Sequence, residues 1–168
     1  LPSLQAILDS AIASFTQLVE EDTKAAVVPN LLDAVQQVSE FTAALGREMA
    51  QSYVDVRFRQ TKATRRLCVC GEPMEWHANS EWLHGTQFGD VKVKDTYAFC
   101  RSCHLSARPL HGVIGTGAER WSLTLEEKVV DLATDESCGK AVAKLARQHP
   151  GTAEVGRTSA LRMLHRHG

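Results

Sequence analysis

Four cysteines fall into two close pairs, Cys68/Cys70 and Cys100/Cys103, on either side of a stretch with hairpin character. Two short-spaced thiol pairs on two turns can build a tetrahedron of soft donors with little backbone strain, which is the donor set of a closed structural zinc site. Gly71, directly after the second cysteine, lets the chain curl until its amides face the sulfurs. The single residue between Cys68 and Cys70 makes a tighter bite than the usual two. Buried small hydrophobes would not cluster in turn motifs. A redox Cys-x-x-Cys wants a helix start after Cys100, yet Pro109 and glycines follow. Five cysteines do not complete a disulfide framework, and reduced thiols in a cytoplasmic chain fit better.

The expected cofactor is therefore one Zn ion held by Cys68, Cys70, Cys100 and Cys103. His77, His84, His104 and His111 lie in the same region, with His104 the most tempting neighbour; each reads more simply as a surface or packing residue. Cys138 reads as a core residue. Four thiolates leave no open position for an activated water, so the site is structural and not catalytic. The chain shows no Ser/His/Asp arrangement, no phosphate-cradling glycine loop and no His-Glu-x-x-His. We expect neither an enzyme nor a small-molecule substrate.

The elements that must position these cysteines can be read from periodicity. Residues 4–22 form an amphipathic helix in which Leu4, Ile7, Leu8, Ala11, Phe15, Leu18 and Val19 share a face, with Ser3 as N-cap. After Pro29-Asn30 a longer helix carries Leu31, Val35, Val38, Thr42, Leu45, Met49, Ser52 and Val56 at heptad spacing. Two of those positions are polar and Gly46 interrupts the run. The stripe closes a helical hairpin within the chain or a seam joining a homodimer through the N-terminal helices. Trp82 to Phe99 has strand character, with Gly89-Asp90 as the turn and Phe88 beside it. Val91, Val93, Asp95, Tyr97 and Phe99 share one parity, and Lys92 and Lys94 the other. Pro109, Gly112, Gly115 and Gly117 mark a loop out of this module.

Three further helices close the chain. Thr124 with Glu127 forms a capping box ahead of Leu125, Val129, Leu132 and Ala133. Ser137 caps a second helix with Ala141, Val142, Leu145 and Ala146 inside, ended by His149-Pro150-Gly151. A third runs from Arg157-Thr158 to His167 with Leu161 and Leu164 inside.

Charge is divided along the chain. Residues 1–56 hold eight acids against two bases, a balance of −6, so residues 57–168 carry +5 within the total of −1. Arg57, Arg59, Lys62, Arg65 and Arg66 fall within ten residues that contain no acid, either to grip phosphates or as a solvated helix end. Residues 140–168 hold six bases against Glu154 alone. The last two helices have helix-turn-helix proportions, with Pro150 to Gly156 as the connection. Arg157, Ser159, Arg162 and Arg166 would face a DNA groove or its phosphates. No apolar run is long enough for a membrane span, and no signal peptide is visible.

Four motifs in order carry a family resemblance. They are Cys-x-Cys-Gly-x-x-Met (Cys68 to Met74), His-Gly-Thr-x-x-Gly-x-Val-x-Val (His84 to Val93), Tyr-x-x-Cys-x-x-Cys (Tyr97 to Cys103) and Arg-Pro-Leu-x-x-x-x-Gly (Arg108 to Gly115). Over roughly residues 60–168 the chain resembles the front half of bacterial insertion-sequence transposases of the Kra type. His111 departs from that pattern, which often has an acid there. In such transposases this region precedes an RNase H-like catalytic domain, so the resemblance implies a DNA-binding and assembly region associated with the nucleoid.

The expectation is a mostly α chain with a small β zinc ribbon. Residues 1–62 form an acidic helical hairpin ending in a basic stretch, 63–117 the zinc-bound β-hairpin, and 118–168 helix-turn-helix-like helices. Its partner would be double-stranded DNA. The rival reading is a zinc-stabilised protein–protein interaction module.

Overall fold

The computed structural model describes residues 4–24, 30–114 and 120–167. Ser3, Pro29, Gly115 and Gly117 lie outside them. The described chain is mostly α with one small antiparallel sheet.

Helix α1 (Leu4–Lys24) packs on α2 (Leu31–Ala63) through Ile7, which is buried, and through Phe15, whose ring lies 5.4 Å from that of Phe41. Asn30 caps α2 by accepting from the Asp33 amide at 3.0 Å, which meets one of the unpaired donors of the first turn. The basic stretch is not a separate linker: α2 runs through it to Ala63.

Strands β1 (Glu75–Thr86) and β2 (Gly89–Phe99) pair antiparallel, and β3 (Ser106–Ala107) adds to the free edge of β2. The alternation in β2 places Val91 and Val93 against α2, with Lys92 and Lys94 in solvent. Val54 of α2 and Leu110 of α3 (Pro109–Ile114) complete that core. At the far end of β2 the buried residue is Ala98, of the opposite parity, between its cross-strand partners Trp76 and Ala107.

Around the sheet, three expectations are overturned. The hairpin turn is Gln87-Phe88, one step earlier than Gly89-Asp90. Thr86 Oγ1 accepts from the Phe88 amide and donates to the Gly89 carbonyl, and Gly89 already pairs with Thr86. The first strand begins at Glu75 and not Trp82, because a bulge between Trp76 and Asn79 breaks its alternation. The stretch after Pro109 opens a helix: proline is favoured at the first helical position, where its missing N–H costs nothing.

The remaining helices, α4 (Leu123–Asp135), α5 (Cys138–Gln148) and α6 (Arg157–His167), share one core of Leu125, Val129, Leu145, Ala153, Val155, Ala160 and Met163. The cap of α4 is Ser122 and not Thr124: Ser122 Oγ accepts from the Leu125 amide at 3.3 Å. Ser137 occupies the cap position of α5 without a side-chain cap bond. In α6 the inward residues are Ala160 and Met163; Leu161 is exposed and Leu164 half-buried.

The hairpin tip docks on this bundle. The Gly85 amide donates to the Arg120 carbonyl at 2.7 Å, the Ser122 amide to the Gly85 carbonyl at 2.8 Å, and the Ala153 amide to the Thr86 carbonyl at 3.1 Å. The Trp121 ring packs against Gly85, where a Cβ would collide with Cε3 and Cζ3. Gly85→Ala should therefore lower stability by about 2 kcal/mol, read from the urea midpoint, as overpacking of a filled contact does.

Candidate metal centre and basic surfaces

The four paired cysteines meet in space. Their sulfurs all lie within 4.8 Å of one another. Cys68 Sγ is 3.3 Å from Cys103 Sγ, and Cys70 Sγ is 3.5 Å from Cys100 Sγ. A tetrahedron with metal–sulfur bonds of about 2.3 Å has edges of about 3.8 Å, so sulfurs between 3.3 and 4.8 Å apart could close on a metal ion with changes in separation of up to about 1 Å. All five cysteines are free thiols. Cys138 stands apart, packed against the core of α4–α6.

Two similar loops bring the pairs together. In the first, the Cys68 amide donates to the Glu72 carbonyl at 2.8 Å and the Gly71 amide to the Cys68 carbonyl at 2.9 Å. Gly71 takes φ +88°, a conformation that side-chain-bearing residues rarely adopt. In the second loop the Cys100 amide donates to the Leu105 carbonyl and the His104 amide to the Cys100 carbonyl, both at 2.9 Å. His104 holds the place that Gly71 has in the first loop, at φ 59°, with its ring tilted 5.9 Å from Phe99. That left-handed place, immediately after the second cysteine of the pair, gives His104 a backbone role.

Backbone amides turn toward the sulfurs, as they do in an anion-binding nest. The Cys100 thiol is lowered to about 7, chiefly by the Cys103 amide. The Cys103 thiol is pushed up to about 12: the Leu105 amide favours its thiolate, but the Cys68 thiol, burial and the other two thiols outweigh that amide. Cys70 is raised likewise, the crowding by Cys100 and Cys68 overcoming the Glu72 amide. Four thiols in one small volume cannot all ionise together without a cation among them. The arrangement suits a divalent ion of thiolate preference.

The basic stretch feeds directly into this centre, since the Arg66 carbonyl accepts from the Met74 amide and so closes the first loop. Arg57, Gln60, Thr61, Thr64 and Arg66 line one shallow cleft. Arg57 also donates to Tyr53 Oη at 3.1 Å and lies over its ring. Lys62 sits 6.0 Å from the centre of the Phe58 ring. Arg59, Arg65 and Arg66 are exposed.

On α6 the expected face shifts by about a third of a turn. At 100° per residue, the face opposite Ala160 and Met163 carries Thr158, Leu161, Arg162 and His165. Arg157 is exposed at the helix start and Ser159 is half-buried at the edge. Arg166 turns back to the bundle, where Nη1 donates to both Glu126 carboxylate oxygens at 2.8 and 3.0 Å. His167 Nε2 lies 2.9 Å from Glu126 Oε2. Glu126 is buried in the first turn of α4, and nothing in the sequence marks this clamp, because an acid there already suits the helix dipole. Among the described residues no helix is long and apolar enough to cross a membrane. No family model matches the chain, and neither a curated protein nor a solved structure matches it.

Proposed function

We propose that this chain is the DNA-binding and assembly region of a transposase-like protein, with a structural zinc ion held by Cys68, Cys70, Cys100 and Cys103. The thiolate-only donor set supports zinc, and its closed shell supports a structural role. The order of motifs from Cys68 to Gly115 supports the transposase-like reading.

The observation that carries DNA binding is the outer face of α6. Arg157, Arg162 and His165 stand exposed on a short helix whose opposite face is fixed by Ala160 and Met163 in the core shared with α5. An exposed basic face on a short helix supports the reading, since a recognition helix presents such a face to a major groove. Cations at Arg59, Arg65 and Arg66 would neutralise phosphates beside the zinc module.

The test is a mobility shift with zinc-loaded protein and duplex fragments over a range of salt. Affinity should fall with a log–log slope near −0.9 for each phosphate neutralised. Arg162→Ala should cost about 1–3 kcal/mol at one position of the site if that side chain reads a base. Arg65→Ala and Arg66→Ala should weaken all sequences alike and flatten the salt slope. No duplex binding at low salt would sink this reading and leave a zinc-stabilised protein-interaction module.

A further inference from the structure

Helix α2 has three faces, and only two are covered. Ala50, Val54 and Phe58 look toward the sheet, Ala43 meets Gly151, and Gly46 lies so close under Phe88 that a Cβ would strike the ring. Phe41 and Leu45 look toward α1. The third face, centred about 120° from the sheet face at 100° per residue, carries Leu31, Val35, Val38, Met49 and Val56, with Tyr53 beside them. All six are exposed, Leu31 by 81% and Val56 by 42%. Helix α1 repeats the pattern. Ile7, Ala11 and Leu18 turn inward, while Leu8, Ile12, Phe15 and Val19 recur at spacings of four, three and four and stay between 37% and 64% exposed, Phe15 at the edge of the stripe where its ring also meets Phe41.

We infer that these two stripes are the contact surface for a second copy of this chain, joined as a four-helix bundle. Three observations favour that occupant. The spacing is heptad on both helices, the period that lets helices meet along a continuous seam. These ten exposed apolar side chains on the two helices give an area of the same order as the roughly 800 Å² per partner of a stable interface, more than the roughly 300–600 Å² patches that monomers leave bare. The balance of −6 over residues 1–56 argues against nucleic acid or an anionic lipid surface at this face, while neither stripe itself contains a charge. A helix pair that leaves one apolar stripe on each member is half of a bundle, and a twofold operation closes it. This rests on the helical faces alone and holds whether or not the chain binds DNA.

Sedimentation equilibrium of the full zinc-loaded chain tests it. At about 10 μM the mass should be twice 18.5 kDa. Val38→Glu combined with Met49→Glu should raise the dissociation constant by about a hundredfold or more, since the pairing would bury unpaired charge. Helical circular dichroism should stay unchanged, because both positions are exposed in the single chain. Leu83→Glu, an equally apolar exposed site on β1, should leave the dimer intact. A monomer at about 100 μM would overturn the proposal, as would a mass above the dimer or a double variant that dimerises as tightly as the parent. Should the double variant lose helicity, Ile12→Gln with Leu31→Gln makes the same test, and retention of the parent dissociation constant there would also overturn it.

Discussion

Stripping the metal from the zinc-loaded chain will unfold the end of the sheet that carries the two cysteine loops. That end has almost no apolar core of its own. Among the described side chains in the stretches 64–80 and 94–108, only Cys68, Ala98 and Cys100 are buried. The large buried residues Val91, Val93 and Leu110 lie at the other end, against α2. The sulfurs themselves are therefore the core of this region, and a bound ion would link them. Structural zinc contributes about 10–16 kcal/mol of apparent binding free energy near neutral pH, as much as the roughly 5–15 kcal/mol stability of a whole domain. Elemental analysis should find about one zinc per chain. Cys100→Ser should abolish that stoichiometry and the protection of the β2 amides from hydrogen exchange, whereas Cys138→Ser should change neither. Binding should also weaken steeply as pH falls. Cys103, pushed up to about 12 without metal, must surrender its proton on binding, so added protons compete directly with the ion. A metal-free protein with full sheet protection and titratable thiols would refute this account.

Much of the arrangement was legible in the residues, and what was not has physical causes. The cysteine pairs and the Val91/Val93 against Lys92/Lys94 alternation were readable because ligand spacing and strand period are local properties. The turn, the start of β1 and the cap of α4 were misplaced where a contact elsewhere decides. Thr86 Oγ1 closes the Gln87-Phe88 turn, the bulge after Trp76 hides the strand period, and Trp121 pinned on Gly85 makes Ser122 the cap in preference to Thr124. In α6 the leucines looked like the core, but close approach to α4 favours the small Ala160 and the pliable Met163. The heptad stripe of α2 is visible in the residues, and only the fold shows that α1 takes up Leu45 while Leu31, Val35, Val38, Met49 and Val56 stay exposed.

Arg166→Met will destabilise the C-terminal helices by about 3 kcal/mol, a loss whose size follows from where the charges sit. Glu126 is 3% exposed, in the first turn of α4, and its two oxygens accept from Arg166 Nη1 at the far end of α6. Taking away the guanidinium leaves a buried carboxylate with His167 as its remaining neighbour of opposite polarity in this pair of helices. Breaking a buried pair from one side costs more than removing both members, because the stranded charge keeps its desolvation penalty. The value sits at the low end of the usual range because Arg166 is itself 38% exposed and partly screened. Glu126→Leu together with Arg166→Met should therefore recover much of the loss, and a double-mutant cycle in urea should return a coupling of about 1–3 kcal/mol. Additive effects of the two changes would contradict the clamp. The same cycle bears on recognition, since an Arg166 that pins α6 to α4 weakens DNA binding through the orientation of Arg162. In that case Arg166→Met should lose affinity in proportion to lost folding, and the salt slope of the folded fraction should stay that of the parent.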